Sequence, residues 1–174
     1  RIQGTHTRLS DDFARTARPG PPCCIHSMEA APGVRTVGEL ELLSFIQNEV
    51  ADERGLLIDA RMANWYRSET LPGAVNVPFI IFTNDSERRK RLLGMLGVTR
   101  GADGSQNFSD AIELMLFCNG PWCDQSPRAI AGLIGAGYPP EKLHYYRGGM
   151  QAWKSFGLTT GLPENNTVEK ASRD

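Results

Sequence analysis

The chain has 174 residues, of which 40% are hydrophobic and 22% charged, and its formal net charge is -1. This length fits one domain with tails, and the apolar fraction is sufficient for a core. Without a positive excess, nucleic acid and anionic membranes are not expected as partners. No apolar run reaches the roughly 20 residues of a membrane span. The start at Arg1 without methionine, together with paired cysteines, favours an exported, periplasm-like compartment over the cytoplasm.

The first part of the chain resembles an extension more than a domain. Residues 1–35 contain charges and turn formers but few apolar residues at a regular period. Periodic sequence begins at Thr36, so residues 36–160 are predicted to form the domain and residues 161–174 a C-terminal tail. Cys23 and Cys24 are adjacent, which is a poor spacing for zinc ligands. We interpret the extension as an arm that lies on the core.

Strands and helices are predicted to alternate along the domain. The apolar pattern of residues 37–46 predicts a helix, residues 56–58 a buried strand and residues 71–78 a turn with a short strand. A charged helix over residues 86–96 and a polar loop over residues 99–109 follow. Residues 114–117 and 143–146 predict two more strands, each followed by a helix. Such alternation is typical of an α/β fold whose parallel sheet is covered on both faces.

Cys118 is the strongest candidate for chemistry. It stands at the carboxyl end of a predicted buried strand, where parallel sheets place their active crevice. The loop after it leads into a helix for which Ser126 is predicted as the N-cap and Pro127 as the first-turn proline. Backbone N–H groups and the helix dipole favour an anion at such a place. They would lower the pKa of a thiol and stabilise a persulfide or a sulfur oxyanion.

Five segments resemble the rhodanese family, in the order that this family has them. They are LIDAR (57–61), LPGAVNVP (71–78), FC (117–118), AGY (136–138) and YRGGMQAW (146–153). The resemblance implies a rhodanese-like fold with a mostly parallel five-stranded sheet and helices on both faces. It also implies a sulfurtransferase of the thiosulfate type: Cys118 would take sulfane sulfur from a donor, carry it as a persulfide and pass it to a thiol, small or protein-borne, or to cyanide. This chemistry requires no metal or other cofactor.

The predicted site has three parts. Cys118 and Cys123 are the candidate catalytic thiols, and Asp59 with Arg61 is expected to form a supporting ion pair beneath the loop. The candidate substrate-binding residues are the rest of the loop and the start of the next helix: Asn119, Gly120, Pro121, Trp122, Asp124, Gln125, Ser126 and Arg128. The loop is longer than is usual in the family, and Asp124 would repel a thiosulfate dianion.

A chain of this kind could have three other functions. A phosphatase of this fold needs an arginine at the end of the loop to bind a phosphoryl dianion, and Asp124 stands there instead. A redox protein would cycle Cys118 and Cys123 between dithiol and disulfide. A non-catalytic binding module would use the arm or the region of Tyr145 and Tyr146 as its surface.

Overall fold

The computed structural model describes residues 25–162. Its strands are β1 Arg35–Val37, β2 Gly55–Asp59, β3 Val75–Asn76, β4 Thr99–Arg100, β5 Gln106–Asn107, β6 Glu113–Phe117 and β7 Leu143–Tyr146. Five of them form one parallel sheet in the order β1-β7-β6-β2-β3, while β4 and β5 form a separate antiparallel pair. The central sheet strand is therefore β6, which leads to Cys118.

The helices of this part of the chain are α1 Glu39–Phe45, α2 Ala63–Ser68, α3 Phe79–Thr83, α4 Glu87–Met95, α5 Gln125–Gly135 and α6 Gly149–Ser155. A π-helical turn, Ile46–Val50, continues α1, and a 3₁₀ turn, Pro140–Lys142, precedes β7. Among residues 25–162, no helix combines the length and apolar character needed to cross a bilayer.

Two hydrophobic cores lie on opposite faces of the sheet. Successive strand residues point to opposite faces, so Met115 and Phe117 join the core beneath α1 and α6. Leu114 and Leu116 join the core beneath α3, α4 and α5. Burial on both faces explains why β2 and β6 are continuous apolar runs rather than alternating ones. The predicted α/β fold, with helices on both faces of a five-stranded sheet, is confirmed.

Some local predictions were wrong. Val37 belongs to β1 and not to the first helix, because residues 35–37 pair with β7. Residues 99–109 were predicted to be a loop but contain the β4–β5 hairpin. Tyr145 and Tyr146 are 0% and 1% exposed, so neither provides a binding surface. The missed strands β1, β4 and β5 have only two or three residues each, which is too short to show a hydrophobic period in the sequence.

The described end of the predicted arm lies on the core. Ala30 and Ala31 pack against the core beneath α5, where Val34 is buried. The backbone N–H of His26 donates a hydrogen bond to the carbonyl of Pro121, at 2.8 Å. Cys23 and Cys24 lie outside the described residues.

Candidate active site

Cys118 directly follows β6 and is 2% exposed. Its backbone is held from both sides of the sheet end. The N–H of Ala60, after β2, donates to the carbonyl of Phe117 at 3.0 Å, and the N–H of Met150, in α6, donates to the carbonyl of Cys118 at 3.0 Å. The position of the thiol is therefore fixed by two neighbouring elements of the fold.

Residues 118–124, the Cys118 loop, rest on the start of α6. The N–H of Gln151 donates to the carbonyl of Asn119 at 2.9 Å, and the N–H of Cys123 donates to that of Gly120 at 2.9 Å, which closes a tight turn. Gly149 has a φ of +55°, and a Cβ there would lie 2.4 Å from the carbonyl oxygen of Cys118. Only glycine allows the loop and α6 to approach this closely.

The Cys118 Sγ atom is surrounded by hydrogen-bond donors. The Ser126 hydroxyl donates to it at 2.9 Å. Burial raises the pKa of Cys118, but hydrogen bonds from the Cys123 thiol, from the hydroxyl and N–H of Ser126 and from the N–H of Gly120 outweigh burial and lower the pKa to about 7. A large share of Cys118 is therefore thiolate, the nucleophilic form, at neutral pH.

Cys123 is a second buried thiol and is not in a disulfide. Its hydrogen bond to Cys118 and its burial raise its pKa above the ordinary value. The proton of the pair therefore stays on Cys123 when Cys118 ionises. When Cys118 is protonated, its Sγ lies 3.3 Å from the carbonyl oxygen of Cys123 and can donate to it. The two thiols thus have different roles: Cys118 is the anion and Cys123 the donor.

Ser126 was predicted as the N-cap of the helix, and this was wrong. Helix α5 begins at Gln125, so Asp124 occupies the N-cap position, and its side chain makes no capping bond. Ser126 lies inside the first turn, fully buried, with its hydroxyl directed to Cys118. A serine near a helix start is expected to satisfy a backbone N–H, but here the thiol is its partner.

A buried polar network supports the loop from below. Arg61 is 0% exposed, and its guanidinium donates to both carboxylate oxygens of Asp59, at 2.9 Å from Nε and 2.7 Å from Nη2. Its Nη1 donates to Oδ1 of Asn119 at 3.2 Å. The hydroxyl of Thr70 donates to Asp59 at 2.8 Å. Through Asn119, this network connects β2 directly to the Cys118 loop.

The outer loop residues have partners of their own. Trp122 is half-buried, and its Nε1 donates to Oε1 of Gln151 at 2.6 Å. Asp124 and Arg128 form an exposed ion pair at 3.6 Å, and the Arg128 guanidinium lies 4.4 Å from the centre of the Phe79 ring. Arg128 was predicted to bind substrate, but its described contacts are with Asp124 and Phe79 rather than with Cys118.

Three residues at the site were not among the predicted ones. Thr70 and Gln151 support the loop from other elements, and Tyr145 lies beneath it, on β7. None carries a local signal, because each meets the loop only after the chain has folded.

The side-chain oxygen of Gln125 is buried and has no hydrogen-bond partner among the described residues. In that part of the chain, no three His, Cys, Asp or Glu side chains lie close enough to share a metal ion.

The sequence matches the family model of the rhodanese-like domain over residues 41–156. The chain belongs to the rhodanese-like domain family. The resemblance of the five segments is therefore confirmed. A comparison with curated proteins gives no match.

Solved structures share this fold at low sequence identity. The BH2092 protein of Bacillus halodurans is 18% identical, with 80% of this chain and 90% of that chain covered and a TM-score of 0.52. Thiosulfate sulfurtransferase of Pseudomonas aeruginosa is 18% identical over 79% of this chain but only 22% of its own length, with a TM-score of 0.51. RPA3614 of Rhodopseudomonas palustris, described as a possible tyrosine phosphatase, is 15% identical, with 76% and 88% covered and a TM-score of 0.54. The rhodanese-like fold is thus shared by proteins to which different activities have been attributed.

Proposed function

We propose that this protein is a sulfurtransferase that carries sulfane sulfur as a persulfide on Cys118. One observation carries the proposal: a buried thiol at a strand end receives hydrogen bonds from a hydroxyl, a second thiol and backbone N–H groups. These donors lower the pKa of Cys118 to about 7. The family and the sulfurtransferase among the similar structures support the same chemistry.

The reaction has two half-reactions. The Cys118 thiolate attacks the sulfane sulfur of the donor, the sulfur–sulfur bond of the donor breaks, and its electron pair leaves with the donor's remaining anion. The outer sulfur of the new persulfide carries the negative charge. An acceptor thiolate or cyanide then attacks this outer sulfur, and the Cys118 thiolate is regenerated. The two anions, the Cys118 thiolate and the outer sulfur of its persulfide, lie one sulfur atom apart, so the fixed donors of one loop can stabilise each in turn.

The charges around the loop favour a persulfide donor over thiosulfate. The groups that donate to Cys118 Sγ in the described chain are neutral, whereas thiosulfate is a dianion. Arg61 is bound to Asp59, and Arg128 lies beside Asp124. A dianion gains most from an arginine fork. This is also why phosphate transfer is not the function that we propose for this loop.

A turnover assay tests the proposal. We expect the protein to form thiocyanate from cyanide and either donor, with a higher kcat/KM for glutathione persulfide than for thiosulfate. Cys118→Ser removes the nucleophile and is expected to abolish turnover. The control is Ser155→Ala, because this exposed hydroxyl in α6 donates only to the carbonyl of Gln151. Wild-type turnover by Cys118→Ser would overturn the proposal, and absence of turnover in the wild type would refute it in favour of a redox protein or a binding module.

A further inference from the structure

A second buried thiol lies beside the proposed persulfide. Cys123 is 6% exposed, its carbonyl oxygen lies 3.3 Å from Cys118 Sγ, and its thiol donates to that sulfur. Simple sulfur transfer to an external acceptor does not require it. An external acceptor must reach a sulfur that is 2% exposed, whereas Cys123 lies in the same loop, within hydrogen-bonding reach of that sulfur. Holding two reacting groups together in this way replaces a collision by an internal step.

We propose that Cys123 resolves the Cys118 persulfide internally, so that the protein reduces sulfane sulfur to sulfide and is reset by a dithiol reductant. This inference rests on the proposed function, because the persulfide on Cys118 must form first. It adds an activity with a different product. That product is sulfide, whereas sulfur transfer gives a persulfide of the acceptor thiol or thiocyanate.

The internal step balances without an oxidant. Cys123 Sγ attacks Cys118 Sγ, a bond forms between the two, and the bond from Cys118 to its outer sulfur breaks with its electron pair going to that sulfur. The thiol proton of Cys123 passes to the departing sulfur, which leaves as hydrosulfide. The products are one hydrosulfide ion and one Cys118–Cys123 disulfide. A dithiol reductant then restores both thiols and becomes a disulfide itself.

The different protonation of the two thiols suits this sequence of steps. While Cys118 is a thiolate, its hydrogen bond raises the pKa of Cys123 and keeps that thiol protonated and unreactive. Once Cys118 carries the outer sulfur, its Sγ is no longer anionic and the charge lies one atom further out. Cys123 then loses the hydrogen bond to an anionic Sγ that had raised its pKa. Attack by Cys123 is thereby delayed until a persulfide is present.

A single-turnover experiment tests this step. The reduced full-length protein is mixed with glutathione persulfide, separated rapidly from excess donor, and followed without added thiol. Sulfide is trapped with monobromobimane, while intact mass and peptide mapping follow the cysteines. Wild type is compared with Cys123→Ser, which keeps a hydroxyl donor beside Cys118. Cys24→Ser is the control for the cysteines outside the loop.

The wild type and Cys24→Ser are expected to release about one sulfide per chain and to lose two hydrogens, mapped to a Cys118–Cys123 disulfide. Cys123→Ser is expected to retain one extra sulfur and to release sulfide at least ~10-fold more slowly. Equal release rates in wild type and Cys123→Ser would overturn the internal step but not sulfur loading. If neither protein gains sulfur or releases sulfide, sulfur transfer itself is refuted, and the internal step with it.

Tyr145 lies on β7, near the Cys118 loop. Its side chain is fully buried between β7 and α5, and its hydroxyl makes no well-formed hydrogen bond among the described residues. The hydroxyl lies close to Ser126, Cys118 and Cys123, and burial, followed by the charge of Cys118, raises its pKa. An unpaired buried hydroxyl is unfavourable, and a hydrogen-bond partner in the active form of the site would explain its presence.

We infer that Tyr145 is a positioning residue whose hydroxyl donates to Ser126 while Ser126 donates to the Cys118 thiolate. A serine hydroxyl has one donor and two acceptor sites. Because its donor is directed to Sγ, its acceptor sites remain for Tyr145. Hydrogen bonds in such a chain strengthen one another. The other titratable or charged groups that act on Tyr145 are Cys123 and Arg147.

A double-mutant cycle tests this role through the pH dependence of Cys118 alkylation by iodoacetamide, measured on the mapped peptide. Tyr145→Phe is expected to raise the pKa of Cys118 by about 0.5. In a Ser126→Ala background the same change is expected to have no effect, since Tyr145 acts through Ser126. Tyr138→Phe is the control, because Tyr138 donates to the carbonyl of Ile112 instead. An unchanged pKa in Tyr145→Phe, or an equal change in both backgrounds, would refute the inference.

Discussion

At the scale of single residues, the feature that depends most on its hydrogen-bond partners is the buried charge of Arg61. A fully buried guanidinium is tolerated only when its donors are satisfied, and here Asp59, Asn119 and the carbonyl of Glu69 accept from it. Asp59 in turn accepts from Thr70. The network therefore stabilises the fold only as a complete set, and removal of one member leaves a buried charge without its partner.

Arg61→Met tests this dependence. Because Asp59 would remain buried without its cation, we expect the free energy of unfolding to fall by about 3–5 kcal/mol, measured by urea denaturation. The matched control is Arg54→Met, since Arg54 forms exposed ion pairs with Glu49 and Asp52. That change is expected to cost less than about 1 kcal/mol. Equal losses in the two variants would show that the buried pair has no special importance.

At the scale of secondary structure elements, the site depends on the close approach of α6 to the Cys118 loop. Gly149 starts α6 in a left-handed conformation and faces the carbonyl of Cys118. From that position the first N–H groups of α6 bind the loop carbonyls of Cys118 and Asn119. The segment YRGGMQAW that indicated the family thus contains the glycine that this approach requires.

Gly149→Ala separates the close approach from backbone conformation. An L-residue in the left-handed region costs about 1–2 kcal/mol, and this applies equally to Gly157, which has a φ of +66° and open space where a Cβ would lie. At Gly149 the new Cβ also overlaps the loop, which adds about 1–3 kcal/mol. We therefore expect Gly149→Ala to lower both unfolding free energy and Cys118 alkylation rate more than Gly157→Ala. Equal effects of the two substitutions on the unfolding free energy, measured by calorimetry, and on the alkylation rate would contradict this expectation.

At the scale of the whole molecule, the sheet and the position of Cys118 were predictable and the surroundings of its sulfur were not. Strands β2 and β6 are buried on both faces, so each is an apolar run that a sequence reveals. Ser126, Thr70 and Tyr145 reach Cys118 or the buried Asp59–Arg61 network from other elements of the fold. No local sequence pattern predicts such contacts. The sequence placed Cys118 correctly at the end of a buried strand but assigned Ser126 to a helix cap.

Another long-range contact connects the segment before β1 to the site. Arg147 donates from Nη2 to the carbonyl of His26 at 2.8 Å and from Nε to that of Ser27 at 3.2 Å. The N–H of His26 binds the carbonyl of Pro121, in the Cys118 loop. The segment and the loop are thereby held together as one surface.

Arg147→Met is expected to loosen this contact without unfolding the protein. Hydrogen–deuterium exchange should become roughly tenfold faster at His26, equivalent to about 1.4 kcal/mol of local opening. Exchange in β6 should be unchanged. Arg88→Met, an exposed change on α4, provides the control. Exchange at His26 that is equally slow in both variants would show that Arg147 does not hold the segment.

Peptide-resolved mass spectrometry after sulfur loading shows whether sulfur resides on Cys118. The Cys123→Ser variant is treated with glutathione persulfide, capped with iodoacetamide and digested. We expect one additional sulfur on the Cys118 peptide, and none when Cys118→Ser is added to the same background. Sulfur found only on Cys23 or Cys24, or loading that is unaffected by Cys118→Ser, would contradict it.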